Sequence, residues 1–395
     1  PHPPPAGRQH RGCGCLSQSG RTGQDFLRPV RFLVPGTTGR FRCGGLLVEL
    51  QTARLVAQIA PVQVVTYRQR EPDKPFLADL LQSEPLQCHG LAEAAKAPLW
   101  VVSWGFDVPH LLRRLRGRLT AYHAHSSGYG FDLPPGVPVL AVSRNTLGYW
   151  GSRAPRNPLF LLPNALDAQW LERGDRSNPA GGVEKRRRID VLVQRRKSSD
   201  YVLNQLVPAL RERGLTVEIQ DGWIDDLVGL FNSSTVYLYD SADYWRGRGV
   251  SEGFGLPPIE ALACGCIVFS SLNHALADLL DPGELGHQIG CGSLEADVER
   301  ICAAVVQPSA WRPQPLQLQG LLHTCSEPVL LERWRWVLDQ ITWQHSLQQE
   351  GAEPLVSPAS LALRWSQRWS RCAAAGRSVV RLAQRTLIGR FRDIP

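Results

Sequence analysis

Short apolar runs separated by glycine-containing loops recur through the first half of the chain. Each run has the length of a buried β-strand. The runs lie at residues 31–36, 62–67, 98–102, 119–123 and 137–142. A loop with four glycines follows the first run and leads into helically spaced apolar residues from Leu46 to Ile59. This order of strand, glycine loop, helix and strand is typical of the opening of a doubly wound α/β domain.

The second half repeats this alternation after a polar stretch that contains Pro179, Gly181 and Gly182. Strands are predicted at 189–193, 216–219 and 236–239, and helices at 202–213, 225–232 and 296–306. The pattern alone therefore predicts two α/β domains. We divide the chain into a disordered or non-native segment 1–28, an N-terminal domain 29–166, a linker 167–188, a second domain 189–327, a final helix 328–350 and a tail 351–395.

One loop of the second domain carries two carboxylates around a Gly-aromatic-Gly turn. Residues 252 to 260 read E-G-F-G-L-P-P-I-E, between a predicted strand and a helix expected from Pro258 onwards. Free backbone N–H groups at a helix N-terminus attract anions, and Gly253 and Gly255 allow a ligand to approach the backbone closely. Glu252 would lie on the loop and Glu260 in the first helical turn. A ligand with hydroxyls at both ends and negative charge between them, such as a nucleotide sugar, suits this arrangement.

The stretch 251–265 resembles the Glu-x7-Glu signature of retaining GT-B glycosyltransferases, the group 1 or family-4 class. The resemblance implies two Rossmann-like domains facing across a cleft, with the last helices returning to the N-terminal domain. It also implies a retaining transfer of sugar from a nucleotide diphosphate sugar to an acceptor hydroxyl. In that family the second Glu, here Glu260, binds ribose, and the first, here Glu252, contacts the sugar. The loop between them holds sugar and phosphates, and we expect this of four donor-binding residues: Gly253, Phe254, Gly255 and Leu256.

Two histidines follow the predicted strand at 119–123. His123 and His125 lie just before a glycine loop, where a site residue could face a cleft. The resemblance implies that a histidine here contacts the transferred sugar, and we favour His125 over His123 as a catalytic residue beside Glu252. Hydrogen bonding within the loop is the alternative. Their spacing also suits metal ligands, but no third ligand lies at useful spacing, so we predict no metal site.

Gly44 and Gly45 precede the first helix, where the resembled family uses a glycine pair for close approach to donor phosphates or acceptor. A flexible turn with a helix cap is the alternative. An insertion at 240–248 carries Tyr, Trp and two Arg side chains that suit either a substrate contact or a surface loop.

The basic residues after the strand 189–193 are candidates for neutralising the donor diphosphate. The resembled family places an Arg and a Lys here, and we assign these roles to Arg196 and Lys197. Arg offers a planar fork of donors and Lys a compact charge, so a phosphate can use both. This sequence departs from the pattern, because the two types are adjacent and Gln194 replaces the usual glycine. A solvated basic loop is the alternative.

Composition narrows the possible chemistry and location. The chain is 43% hydrophobic and 20% charged, as in globular proteins, and contains no Asp-x-Asp pair that would hold a divalent ion on a diphosphate. We therefore expect a metal-independent enzyme with no cofactor beyond its nucleotide-sugar co-substrate. No apolar run reaches the roughly 18 to 20 residues that span a bilayer. The ten cysteines are scattered and no apolar leader is present, so we expect a cytoplasmic protein.

The tail holds most of the net charge of +8. Residues 361–395 contain eight Arg and one Asp, which sum to +7. Trp and aliphatic residues recur among them at steps of three, four and seven, which predicts a basic amphipathic helix. Such a helix suits the inner face of an anionic membrane, and packing on the protein or a dimer contact are the alternatives. Nucleic acid is not expected, because no nucleic-acid-binding motif accompanies the charge.

The sequence leaves the acceptor open among glycan, lipid and small molecule. It predicts an enzyme of glycan, glycolipid or surface polysaccharide synthesis. The alternative is a non-catalytic protein that binds a nucleotide sugar or serves as a scaffold.

Overall fold

The computed structural model describes residues 28–85, 97–176, 186–359, 361–370 and 372. The predicted disordered segment up to residue 27, the linker residues 177–185 and the tail beyond residue 372 lie outside this description. Arg28, which we had assigned to the disordered segment, belongs to the fold. Its side chain is buried and donates a hydrogen bond to the carbonyl of Ala97 at 2.6 Å.

The first sheet is parallel throughout, as expected of strands whose two faces are both covered. Its strands are β1 (Val30–Val34), β2 (Val62–Thr66), β3 (Leu99–Val102), β4 (Thr120–Ala124), β5 (Val139–Ala141) and β6 (Leu159–Leu161), in the order β2-β1-β3-β4-β5-β6. The sequence pattern predicted five of these but not β6, which has only three residues. The strand order reverses between β1 and β3, and a ligand crevice is expected at such a point.

Helices cover both faces of this sheet through two separate apolar clusters. They are α1 (Gly44–Val56), α2 (Leu77–Ser83), α3 (Val108–Arg114) and α4 (Arg144–Arg153). The next helix, α5 (Ala168–Arg173), packs on the second domain, where Trp170 joins the apolar cluster. Ser143 caps α4, because its hydroxyl accepts a hydrogen bond from the Thr146 N–H.

The second sheet is also parallel and doubly wound. Its strands are β7 (Ile189–Gln194), β8 (Val217–Gln220), β9 (Ser234–Tyr239), β10 (Ile267–Ser270) and β11 (His287–Gln288), in the order β11-β10-β9-β7-β8. Its helices are α6 (Val207–Glu212, preceded by a π-helical turn Val202–Leu206), α7 (Leu227–Asn232), α8 (Ala242–Arg246), α9 (Leu256–Ala263), α10 (Leu276–Leu279), α11 (Leu294–Val306) and α12 (Pro315–Thr324). The order reverses between β7 and β9, which places the ends of these two strands at a second crevice.

Helix α9 begins at Leu256, two residues before the predicted start at Pro258. Prolines are tolerated there because the N–H groups of a first helical turn have no intrahelical partner. The earlier start corrects our placement of Glu260, which lies in the second turn and not in the first.

The long helix α13 (Glu327–Gln349) lies on the first sheet, although it follows the second domain in sequence. Trp334 is fully buried there, and its ring meets Phe32 edge-on at 5.6 Å and His123 at 5.9 Å between ring centroids. A further helix, α14, spans residues 361–370. Among the described residues, no helix combines the length and the apolar character needed to cross a bilayer.

The two domains meet along the carboxyl ends of their strands. The Ser127 N–H donates to the Ser251 hydroxyl at 2.9 Å, and the Ser251 N–H donates back to the Ser127 carbonyl at 3.1 Å. The Arg42 guanidinium stacks on the Trp223 ring at 4.0 Å from its centroid. These contacts close the cleft around the predicted site.

Candidate active site

The end of β9 and the loop before α9 build a carboxylate site in the second domain. Glu252 is buried, and its Oε2 accepts hydrogen bonds from the Tyr239 hydroxyl and the Trp245 indole N–H, each at 2.6 Å. The Lys197 ammonium lies 3.3 Å from both carboxylate oxygens. A buried carboxylate needs such partners, since burial without them would disfavour its charge.

The Lys197 side chain reaches this site from a residue with an unusual backbone conformation. Its φ of +72° lies in the left-handed region, which few residues other than glycine adopt. The ammonium sits 4.6 Å from the centroid of the Trp245 ring, within cation–π distance. Burial lowers the pKa of Lys197, while the Glu252 charge opposes that shift.

Arg196 takes a different position from its neighbour. Its side chain is exposed and makes no hydrogen bond or ion pair within the described residues, whereas Arg195 pairs with Asp221 at 2.7 Å. The structure therefore brings Lys197 to Glu252 and leaves Arg196 at the rim.

The loop from Gly253 to Gly255 presents unbonded backbone to the cleft. The N–H groups of Gly253, Phe254 and Gly255 have no hydrogen-bond partner in the described part of the chain. Gly255 has a φ of +95°, and a Cβ built on Gly253 would fall 1.5 Å from the His125 carbonyl oxygen. Glycine is thus required at both positions, at one by conformation and at the other by contact between the domains.

The remaining predicted loop residues lie behind this backbone. The Phe254 side chain is buried in the apolar cluster of the second domain, and Leu256 packs against the same cluster. Phe254 therefore offers a ligand only its main chain, whereas the Leu256 side chain is partly exposed.

Glu260 lies half-buried on α9 and lacks a hydrogen-bond partner for its carboxyl group within the described residues. Burial raises the pKa of Glu260 to about 7, and the Lys197 charge offsets part of the rise. A carboxyl group with free acceptor atoms and a raised pKa is available to bind hydroxyls, and such groups are typical of functional sites.

The first domain contributes a third carboxylate, Glu49, which the sequence analysis missed. Glu49 on α1 is buried, and its Oε2 lies 2.8 Å from both His123 Nδ1 and His125 Nε2. The two imidazole centroids are 4.1 Å apart. His123 is buried, whereas the His125 side chain remains 18% exposed toward the cleft. Both histidines are therefore tied to one carboxylate.

The pKa values of Glu49 and His123 in this cluster are shifted from their ordinary values. Burial raises the pKa of Glu49, but the charge of His123 and hydrogen bonds from both histidines outweigh it and lower the pKa to about 2. The pKa of His123 is lowered, mainly by burial and then by the His125 charge. The second oxygen of Glu49 and His123 Nε2 are buried with no hydrogen-bond partner among the described residues.

Glu49, His123 and His125 also have the chemistry of metal ligands, with donor atoms within 4.8 Å of one another. The prediction that no third ligand accompanies the histidines rested on sequence spacing, and the fold supplies one from a distant helix. The hydrogen bonds to Glu49 Oε2 already account for one nitrogen of each histidine.

Gly44 and Gly45 form the first residues of α1. Both are exposed, and a Cβ at either would meet no atom within 4 Å. The open space above them leaves the start of this helix accessible from the cleft.

A pocket of about 380 Å³ lies where the domains meet, next to Glu252. Its lining includes Gly128 from the first domain and Trp245, Ser251 and His274 from the second. The His274 Nδ1 accepts a hydrogen bond from the Glu252 N–H at 3.3 Å, which connects the pocket to the carboxylate site. The sequence analysis assigned no role to His274 or Tyr239.

Comparison with known proteins identifies the architecture. No protein-family model matches the chain, and neither does any curated protein sequence. Among solved structures, sucrose-phosphate synthase from Thermosynechococcus elongatus matches with a TM-score of 0.52 and 15% identity over 80% of this chain and 99% of the other. The chain has the GT-B fold.

Two further structures agree with this assignment. Anabaena HepE, solved with UDP and glucose, matches with a TM-score of 0.53 and 15% identity over 79% of this chain and all of the other. The pneumococcal O-GlcNAc transferase GtfA, solved with UDP and GlcNAc, matches with a TM-score of 0.54 and 9% identity over 80% and 99% of the two chains. At such identities the likeness concerns the fold.

Proposed function

We propose that this chain is a retaining glycosyltransferase that moves a sugar from a nucleotide diphosphate sugar to an acceptor hydroxyl. The observation that carries the proposal is the pairing of Glu252 and Glu260 around unbonded backbone N–H groups, with Lys197 alongside, at the reversal point of the second sheet. The nucleotide and sugar bound in the structures of HepE and GtfA support a nucleotide-sugar donor.

The donor diphosphate would lie over the loop at 253–255. Its negative charge suits the free N–H groups there and the N-terminus of α9, and these groups need no reorganisation during reaction. Lys197 would stabilise the leaving diphosphate, and Arg196 at the rim could fold over it. Glu260 would accept hydrogen bonds from the ribose hydroxyls, and Glu252 from the sugar. The sequence has no Asp-x-Asp pair, so we assign this work to protein cations and dipoles.

The first domain would complete the site from across the cleft. His125 would orient the transferred sugar, and Glu49 would fix the tautomer of His125 through its bond to Nε2. We assign no covalent nucleophile. Retention then requires the acceptor hydroxyl to attack on the face from which the diphosphate leaves, with a departing phosphate oxygen taking its proton.

In this proposal the enzyme acts in glycan, glycolipid or surface polysaccharide synthesis, and its acceptor is a hydroxyl group of such a molecule.

Contacts such as Ser127–Ser251 close the cleft, and closure excludes water that would otherwise hydrolyse the donor.

One observation favours a second candidate, a non-catalytic protein that binds a nucleotide sugar. The Glu252 carboxylate already accepts hydrogen bonds from Tyr239 and Trp245 and pairs with Lys197. Sugar hydroxyls must therefore compete with these protein donors. Such a protein would bind donor without releasing nucleotide.

A panel of UDP-, GDP- and ADP-sugars tests both candidates by thermal shift and by nucleotide release. An enzyme predicts that one donor stabilises the wild type and releases nucleotide, and that Glu260→Ala loses both effects. The exposed Glu295 serves as a matched control, and Glu295→Ala should behave as wild type. Stabilisation without release, over a broad acceptor screen, would support the non-catalytic candidate. If no donor stabilises the protein, both candidates fail.

A further inference from the structure

The helix α14 exposes large apolar side chains on one face. All ten of its residues are exposed, and Leu361, Trp365 and Trp369 follow one another at four-residue steps. At 100° per residue these three fall within a sector of about 80°. Trp365 and Trp369 are 58% and 71% exposed, so water covers most of two indole rings.

The described residues of this helix bury no side chain against the rest of the protein. Most helical stability in proteins comes from the packing of an amphipathic face. The apolar face of α14 is therefore available to a surface outside the described part of the chain.

The charge beside this face indicates the kind of surface. Arg364 and Arg368 lie along one edge of the apolar sector, and the Arg368 guanidinium stands 6.0 Å from the centroid of the Trp365 ring. No acidic residue occurs in 361–370, and the sequence from 371 to 395 adds six Arg and one Asp. A partner must therefore be anionic and must accept indole rings next to its charges.

We propose that α14 docks this protein on an anionic lipid surface. The helix would lie parallel to the membrane, with Trp365 and Trp369 at the boundary between headgroups and acyl chains. Indole rings favour that depth, and the arginines would reach the lipid phosphates. A second copy of the chain is a poorer occupant, because two segments of the same strong positive charge repel each other. Leu363 lies on the opposite face, outside the docking surface.

Co-sedimentation with vesicles tests the proposal on the full chain. One set contains phosphatidylcholine alone, and the other adds phosphatidylglycerol. The wild type should sediment with the anionic vesicles and not with the neutral ones. Trp365→Ala/Trp369→Ala and Arg364→Gln/Arg368→Gln should each lower the partition coefficient roughly tenfold. Arg113→Gln/Arg116→Gln is the matched charge control, because both arginines are exposed elsewhere in the first domain, and it should bind as wild type.

Four results would overturn the proposal. The wild type could fail to bind anionic vesicles, or the control could weaken binding as much as the α14 variants do. Light scattering could also show a dimer that Trp365→Ala/Trp369→Ala dissociates, which would make the face a contact between copies. RNA binding that depends on Arg364 and Arg368 without vesicle binding would assign the charge to nucleic acid. Because vesicle binding needs no sugar donor, its outcome is independent of the glycosyltransferase proposal.

Discussion

The two sides of the cleft hold carboxylates that differ in their pKa and in their hydrogen-bond partners. Glu49 in the first domain is buried and ionised, with a pKa of about 2 and two histidines on a single oxygen. Glu260 in the second domain has a pKa of about 7 and no hydrogen-bond partner in the described chain. The partners of Glu49 suit a carboxylate that holds other side chains in place. The free acceptor atoms of Glu260 suit one that awaits a ligand.

Glu252 lies between these extremes, and it makes the comparison testable. It is buried like Glu49 and has three protein partners, yet its neighbour Ser251 and its partner Trp245 line the pocket between the domains. If it contacts the sugar, substitution should affect catalysis more than folding.

The largest expected effect comes from Glu252→Gln. The amide keeps an oxygen for Tyr239 and Trp245 but removes the charge that pairs with Lys197 and would contact the sugar. We expect the rate of product formation to fall by about 10² to 10³-fold, as for loss of one preorganised electrostatic contact. Steady-state kinetics with the identified donor measures it, and Glu295→Gln is the exposed control. A rate within about threefold of wild type would remove Glu252 from the site.

Gly253→Ala tests whether the two sides depend on one another. The added methyl group would overlap the His125 carbonyl oxygen, so the loop or the first domain must move. We expect the free energy of unfolding to fall by about 2 kcal/mol, as for overpacking, and the donor-induced thermal shift to shrink.

Gly320→Ala provides the matched control for this change. Gly320 lies within α12, and a Cβ there meets no atom within 4 Å, so alanine should be neutral or slightly stabilising. Equal stability of the two variants would show that the domain contact at Gly253 can relax without loss.

Glu49→Gln tests the supporting role of the first domain. The amide oxygen can still accept from both histidines at the position of Oε2, but the substitution removes the negative charge that holds the two imidazoles. We expect turnover to fall about tenfold to hundredfold with donor KM nearly unchanged, since a neutral amide fixes the tautomer of His125 less strongly. Steady-state kinetics over a range of pH measures turnover and donor KM. Glu84→Gln serves as the control, because Glu84 is also an ion-paired carboxylate in the same domain. A change in donor KM alone would place Glu49 in substrate binding instead.

The smallest expected effect is the pH dependence of donor affinity. The ionised Glu260 accepts hydroxyl hydrogen bonds best, and its ionised fraction grows as pH rises through about 7. Affinity for the nucleotide sugar should therefore increase by roughly tenfold between about pH 6 and about pH 8. Glu260→Gln should remove this dependence in titration calorimetry, and a parallel slope in both proteins would contradict it.

The same shift has a consequence for stability with a definite sign. Because the folded state raises the pKa of Glu260, its contribution to stability is complete below the pKa of an unfolded carboxyl group. That contribution is lost as pH rises toward about 7.

Much of the second domain could be predicted from the sequence. The loop at 252–260, its glycines and the strand before it form one contiguous stretch of sequence. Local patterns were therefore enough to place Glu252 beside a helix N-terminus. The start of α9 was placed two residues late, at Pro258, whereas Leu256 and Pro257 also belong to its first turn. The short strand β6 was missed, since three residues give little periodic signal.

The first side of the cleft could not be predicted in the same way. Glu49 and His123 are 74 residues apart, and within α1 Glu49 looks like one polar position among several. Lys197 was identified, but its distance from Glu252 depends on a left-handed backbone that sequence patterns do not reveal.

By itself the sequence determined two α/β domains and the loop 252–260, and it predicts a basic amphipathic tail, because each follows from short-range periodicity or from adjacent residues. The tertiary structure decided which carboxylates are held and which are free. That outcome depends on burial and on partners from distant elements, as when α13 returns to set Trp334 against His123. Charge in a protein interior is set by all its neighbours, and only the folded chain specifies them.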